Sequence, residues 1–465
     1  MKTGKNDGNV GHCSDHIIHG TSLLNEYISL LFTAMLVHGY SPEGFVLCTI
    51  TSIPKNKRKS INDSDNYRGI ALSSILSKIF DWIILTTHSN VFETSDLQFG
   101  FKQNHSTTQC TFVLKETINY YIKNGGQVFL TLLDASKAFD RVNYIKLFRL
   151  LIKKGLCPLM ARFLLCMYTN QLIRVRWNDY TTQTFSVSNG VKQGGVLSPI
   201  LFNIYIDELL TRLKQCGVGC YIGHVYVGSL AYVDDVSLLA SSRNALCKML
   251  DVCQSFSAEY DVLFNSEKSK LVIFDGDVKS EFKEILFCQT HLKNNQSDIH
   301  LGTRVGNDAS SDNMKKSIND FYIRFNIMYS MFNHASNQVL YHLFKTYCMP
   351  LYGCQLWNYA SNEINDMCVA WRKTIRYMLR IPQRTHNILL NFICDDFPLE
   401  TQLHKRFIKF AYNIVHSPNI CVHVCGKLAL FGSMSDLCDS INYVFNRYEI
   451  NKYMIYSQKT LSVNV

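Results

Sequence analysis

Residues 228–233 and 236–240 are two short apolar runs set back to back, with only Asp234 and Asp235 between them. Each run has the length of a strand and is too short for a buried helix. The two-residue acidic break between them leaves room for a tight hairpin turn and little else. Adjacent carboxylates in so apolar a setting repel one another unless a cation neutralises them. A third run, 128–133, is almost wholly apolar, as a strand buried on both faces should be, and it ends in Asp134. Taken separately these acids have plain explanations: Asp-Asp is a common turn sequence, and Asp134 could cap a helix.

Helical periodicity fills most of the chain between and beyond these strands. Residues 22–54 read as a helix followed by an extended stretch, and a basic loop of Lys55, Lys57, Arg58 and Lys59 comes next. Helical patterns follow at 74–88 and 111–122, and another over 142–152 is closed by Gly155. Residues 174–187 suggest a hairpin. Ser198 is the expected N-cap of a helix with Pro199 at its first position, running to about 217. A helix over 243–261 and a strand over 271–274 complete the alternation, which predicts a sheet layer covered by helices. Beyond about 307 the pattern is mainly helical, with Arg372, Lys373, Arg376, Arg380 and Arg384 spread along it. We divide the chain into 1–127, 128–305 and 306–465, the first two interleaved in space.

The 465 residues, 47% of them hydrophobic, suffice for several subdomains and a substantial core. A net charge of +10 favours an anionic partner such as nucleic acid. The polar N-terminus lacks the apolar core of a secretory signal, and no apolar run is long enough to span a bilayer. An intracellular protein of nucleus or cytoplasm is therefore expected, neither secreted nor membrane-spanning. The 17 cysteines show no zinc spacing and read as reduced thiols in the core.

Hard divalent cations prefer oxygen ligands, and two of them about 3.5–4 Å apart can stabilise both ends of an in-line phosphoryl displacement. Two or three aspartates on neighbouring rigid backbone are what such a site needs. Around Asp134 the sequence runs Leu133-Asp134-Ala135-Ser136-Lys137-Ala138-Phe139-Asp140. The stretch 189–199 reads NGVKQGGVLSP, and 231–235 reads AYVDD. In order and spacing these resemble the central motifs of reverse transcriptases, especially those of non-LTR retrotransposons. The likeness extends to Ile53-Pro54-Lys55, Asn66-Tyr67-Arg68, Gln98-Phe99-Gly100-Phe101, Ser106-Thr107, Phe264-Asn265 through Lys268, Leu301-Gly302, Leu351-Tyr352-Gly353 and Trp357.

The resemblance implies an α+β right-hand polymerase fold followed by a helical thumb, and an RNA-directed DNA polymerase acting on an RNA template, a DNA primer and deoxynucleoside triphosphates. Asp134, Asp234, Asp235 and the Ala135 carbonyl would hold two magnesium ions, or manganese in their place. Phe139, beside Ala138, would lie beneath the incoming sugar and exclude a 2′-hydroxyl. Gln193, Gly194 and Gly195 would line the nascent pair, where glycines permit close backbone approach. Arg68 and Lys55 would hold the triphosphate, Tyr232 would pack beside the primer end, and Lys268 would give a proton to the departing pyrophosphate. Asp140, Asp207 and Glu208 read as structural or surface acids. Gly69 stands where many relatives have proline, and Val233 where alanine is frequent. A group II intron enzyme fits some motifs, but no maturase-like tail is evident; a catalytically silent binder would keep the same fold. The expected upstream endonuclease finds no room here, so the sequence reads as part of a larger element.

Overall fold

The central sheet grows outward from the strand that the sequence marks as buried on both faces. In this computed structural model, which describes all residues except 1, 8–10, 58, 276–283, 307–308, 433–434 and 458–465, that strand is Val128–Leu133. We number the strands of the two main sheets β1 Leu47–Pro54, β2 Tyr67–Ser73, β3 Val128–Leu133, β4 Leu172–Trp177, β5 Ser229–Tyr232, β6 Asp235–Ala240, β7 Lys270–Phe274 and β8 Lys293–Asn295. The central sheet runs β5-β6-β3-β7-β8 and is antiparallel except at its last pair. With β6 on one side and β7 on the other, β3 has both edges paired. Its apolar residues need no alternation because helices Thr107–Lys123 and Ser198–Gln215 pack against the sheet and bury them.

An outer sheet places β1 between antiparallel β2 and parallel β4, with short strands Tyr180–Thr181 and Phe185–Ser186 folding back on β4. The expected hairpin over 174–187 is thus present as three short strands. Hydroxyl caps open several helices: Ser74, Ser106 and Ser242 each accept a backbone N–H three residues on, and the helix expected from 111 begins earlier, at Thr107. Helix Ser198–Gln215 departs from the expectation. Its N-cap is Leu197, with Ser198 and Pro199 already in the first turn, so Ser198 caps nothing. The helix expected over 142–152 spans Tyr144–Lys153. It buries Tyr144, Leu147, Phe148, Leu150 and Leu151 and leaves Ile145 and Ile152 exposed.

Beyond 308 the described chain is all helical. Helices Ala309–Phe332, Asn337–Tyr347 and Glu363–Met378 share an aromatic cluster in which Phe321, Phe325, Tyr329, Phe344 and the exposed Tyr377 meet edge to face, stacked or tilted. The next helices, Leu399–Val415, Ile420–Phe431 and Asp436–Arg447, turn back toward the sheet, and Ile420–Phe431 packs on Thr107–Lys123. Asn419 and Ile420 are tied to Asp96: the Asn419 amide donates to the Asp96 carbonyl at 2.7 Å, and the Ile420 N–H to its carboxylate at 3.1 Å. The architecture is an α+β right-hand polymerase fold with a helical C-terminal region. Among the described residues no single helix is long and apolar enough to cross a membrane. All 17 cysteines are free, and most are buried.

Candidate active site

Strands β5 and β6 are joined by a two-residue turn, Val233-Asp234, closed by the Tyr232–Asp235 pair. Val233 has φ +62°, left-handed backbone that a β-branched residue rarely adopts. A turn of this hand matches strand twist, which explains its place in a tight hairpin. Because Val236 pairs with Leu133, the register carries Asp235 to the end of β3, beside Asp134.

Asp134 itself is seated by the segment that follows helix Arg243–Tyr260. Its N–H donates to Ser269 Oγ at 3.2 Å, and its carbonyl accepts the Asn265 N–H at 2.8 Å. Next to it, Ala135 pairs with Phe264 in a two-residue bridge. The backbone on which the three carboxylates sit is therefore fixed from both flanks.

Electrostatics agree with that closeness. The Asp235 carboxyl is pushed up to about 6, by loss of solvent first and then by the negative charges of Asp234 and Asp134. Burial also raises Asp234; a hydrogen bond from its own backbone opposes the rise, Asp134 adds to it, and Arg68 across the cleft opposes it. A cluster of hard oxygen donors that repel each other suits divalent cations. Among the described residues, however, no three His, Cys, Asp or Glu side chains converge tightly enough to ligate one ion together. The three carboxylates are close enough to influence one another's ionisation without forming a ready-made ligand cluster.

On the β2 side, Arg68 is exposed on its strand. Lys55 is differently engaged: its ammonium donates to the Asp65 carbonyl at 2.9 Å, within its own loop. Arg58 lies outside the described residues. Phe139 is half-buried and stacks on Phe202 with centroids 4.6 Å apart, while Ala138 before it is buried. The Phe139 carbonyl accepts the Val191 N–H at 2.7 Å, drawing the 191–195 loop beside it. That loop also meets β2, since the Ala71 N–H donates to the Gln193 carbonyl at 2.7 Å. Gly194 has φ +105°, and a Cβ there would lie 3.0 Å from the Ala71 carbonyl oxygen. At Gly195 a Cβ would lie 2.5 Å from Ser198 Oγ. Gly194 is required by local geometry, whatever passes over it, whereas at Gly195 a side chain would need the Ser198 hydroxyl to turn away.

Tyr232 is half-buried beside Tyr352, whose hydroxyl donates to the Leu301 carbonyl and can accept from the Thr107 hydroxyl, both at 2.8 Å. Tyr352 also covers Gly302, so the 301–302 and 351–353 motifs meet near the turn. Lys268 is exposed one residue before Ser269. Asp140 is exposed, Asp207 accepts from Ser95 N and Oγ at 3.0 and 2.6 Å, and Glu208 pairs with Arg212 at 3.0 Å. Of the C-terminal basic residues, Arg376 is buried and spent on the Thr385 carbonyl and Asn387.

Two supports of the site carry no obvious signal in the sequence. Gln98 is fully buried, with its carboxamide on the Val233 peptide unit. Asp81 is buried behind the glycine loop, where it accepts the Val196 and Leu197 N–H groups near Lys192, and burial lifts its carboxyl to about 7. Only the spelling around Gln98 drew attention to it; Asp81 reads simply as the one acid in an apolar helix.

The family model described as reverse transcriptase (RNA-dependent DNA polymerase) matches residues 53–308, more than half of the chain. Among curated proteins, the RNA-directed DNA polymerase from mobile element jockey of Drosophila melanogaster is 24% identical over 386 residues, 78% of this chain and 41% of that protein. The probable RNA-directed DNA polymerase from transposon X-element of the same organism is 30% identical over 258 residues, 53% of this chain and 27% of that protein. The Retrovirus-related Pol polyprotein from type-1 retrotransposable element R2 of Nasonia vitripennis is 28% identical over 232 residues, 48% of this chain and 22% of that protein. The chain thus spans less than half the length of each of these relatives. With the motifs from Ile53 to Gly302 carried on one α+β scaffold and lying inside the stretch that the family model covers, this chain belongs to the reverse transcriptase (RNA-dependent DNA polymerase) family.

Proposed function

We propose that the chain extends a DNA primer on an RNA template with deoxynucleotides. The observation that carries this reading is the meeting of Asp134 with the Asp234-Asp235 turn, in a cleft where Arg68 faces them and each acid raises the next. The oxygen donors suit two magnesium ions, or manganese, with the Ala135 carbonyl as a further ligand. When bound, such ions supply charge stabilisation at the attacking and leaving oxygens.

The chain's own residues do the rest. Arg68 binds the triphosphate through its guanidinium, with Lys55 a weaker contributor because its ammonium is already engaged in its loop. Phe139, braced by Phe202, fills the space a 2′-hydroxyl would need. Gln193, Gly194 and Gly195 let the nascent pair approach the backbone, Ala138 packs beneath the nucleotide, and Tyr232 orients the primer end. Lys268 delivers a proton to the departing pyrophosphate from the exposed side of the cleft. A strand-nicking activity elsewhere in a retroelement protein would supply the primer's hydroxyl.

Primer extension on an RNA template with deoxynucleotides and magnesium tests this. The wild-type chain is expected to extend, and Asp234→Ala with Asp235→Ala to lose at least about 1,000-fold in rate, as when groups that act as a unit are removed. Extension that survives the double change would sink the metal-site assignment. Duplex binding with no extension by the wild-type chain would instead identify a catalytically silent member of the fold.

A further inference from the structure

The segment before helix Thr107–Lys123 lies against the open edge of β5. Phe99 N–H donates to the Ala231 carbonyl at 2.8 Å, and Ala231 N–H to the Leu97 carbonyl at 2.8 Å, so residues 97–99 run parallel to the strand that leads into the acidic turn. From this edge the Gln98 side chain reaches the turn itself. Its Oε1 accepts the Val233 N–H at 3.0 Å and the Gly100 N–H at 2.9 Å, and its Nε2 donates to the Val233 carbonyl at 3.4 Å. One carboxamide therefore holds both polar groups of the residue with the unfavourable backbone.

The surroundings leave no slack. A Cβ at Gly100 would lie 2.5 Å from Val233 Cγ2 and 2.7 Å from Val233 N. Only glycine lets the chain press this closely on the turn. The Gly100 carbonyl is in turn held by Asn203 Nδ2 at 2.6 Å, from within helix Ser198–Gln215. Gln98 is fully buried, so water cannot replace its carboxamide on Val233.

We propose that Gln98 is a positioning residue that clamps the Val233 peptide unit in its left-handed conformation, and thereby aims Asp234 and Asp235 at Asp134. The proposal rests on the polymerase reading for its catalytic consequence, but its structural content does not. A left-handed backbone on a β-branched residue persists only where the surroundings over-determine it. Releasing the clamp lets Val233 relax toward negative φ, which rotates the following peptide and displaces the carboxylates from shared register.

Gln98→Met keeps the side chain's bulk and removes its polar atoms, and Val233→Gly removes the conformational conflict that the clamp opposes. Two readouts on the full chain separate the possibilities. By hydrogen exchange, the peptide containing Val233 should exchange at least about tenfold faster in Gln98→Met, because its N–H loses a buried acceptor. In primer extension, Gln98→Met should lower kcat by about 10- to 100-fold while the dissociation constant for primer–template stays within about twofold. The penalty of Gln98→Met should shrink when measured in the Val233→Gly background, since glycine takes positive φ without support. An unchanged exchange rate at Val233, or equal kcat penalties in both backgrounds, overturns the clamp. If wild-type chain does not extend primers at all, the polymerase reading fails, and the exchange measurement alone decides the clamp. Should Gln98→Met fail to fold, Gln98→Glu retains the Oε1 acceptor and should keep Val233 protected; loss of protection there also overturns the proposal.

Discussion

At the scale of single residues, the site is a set of side chains whose neighbours define what each can do. Phe139 is an example: its ring lies flat on Phe202, tilted by only 13°, so it cannot swing aside without breaking a stacked pair. A rigid ring beneath the sugar discriminates by bulk. Replacing Phe139 by alanine should therefore raise ribonucleotide relative to deoxynucleotide incorporation by at least about tenfold, on the order of a lost steric contact of 1–3 kcal/mol. Competition assays with paired nucleotides measure the ratio, and an unchanged ratio removes Phe139 from sugar selection. The acids, the aromatic and the glycines proposed to meet substrate could be picked out in the sequence because their chemistry is tied to residue type. Those that hold them were less so: the acceptor for Val233 N–H belongs to Gln98, 135 positions away, and no local pattern joins the two. Lys55 shows the same gap from the other side. Its position suits a phosphate, yet its ammonium is taken by the Asp65 carbonyl, a partner visible only once the loop is folded.

At the scale of elements, strands were easier to place than helix ends. The three apolar runs became β3, β5 and β6 almost residue for residue because buried strands leave no freedom in register. Helix starts depended on caps, and at Ser198 two good signals in succession fixed the helix while misplacing its cap by one residue. The helix Tyr144–Lys153 exposes two isoleucines that periodicity would have buried, since a stripe defines an axis but not the width of its partner surface. Helix Ile420–Phe431 offers a test. Asn419 caps it through the Val422 N–H at 3.1 Å and also donates to the Asp96 carbonyl. Asn419→Ala removes both bonds and should cost about 1–2 kcal/mol, read from urea unfolding. A change below about 0.5 kcal/mol, the range of ordinary surface substitutions, would mean that the docking of this helix does not depend on that residue.

At the scale of the whole molecule, buried acids and histidines set how stability follows pH. Burial lifts Asp81 and Glu116 to about 7, and Asp235 stands at about 6, all above their unfolded values. The stability these groups contribute is present below their unfolded values and lost as pH rises through the folded ones. His300 and His404 act oppositely: burial depresses both to about 4, so they destabilise the fold below their ordinary value of 6.5 and not above it. The two trends oppose each other between about 4 and 6.5, and Asp81 and Glu116 continue to act above that window. The melting temperature without divalent ions is therefore expected to fall between pH 6.5 and 8, and the fall to shrink in Asp81→Asn. A melting temperature that stays flat across that interval in the wild-type chain would contradict the burial of these acids.

The tie between Asn419 and Asp96 joins points 323 residues apart, and Asp96 stands two residues before the glutamine that grips the acidic turn. During synthesis the sheet strands and the turn emerge long before the residue that pins this edge. The setting of the acidic turn is consequently expected to be completed late in folding, once the residues around Asn419 are in place. Contacts of such long range slow the assembly of the edge on which the acidic turn rests.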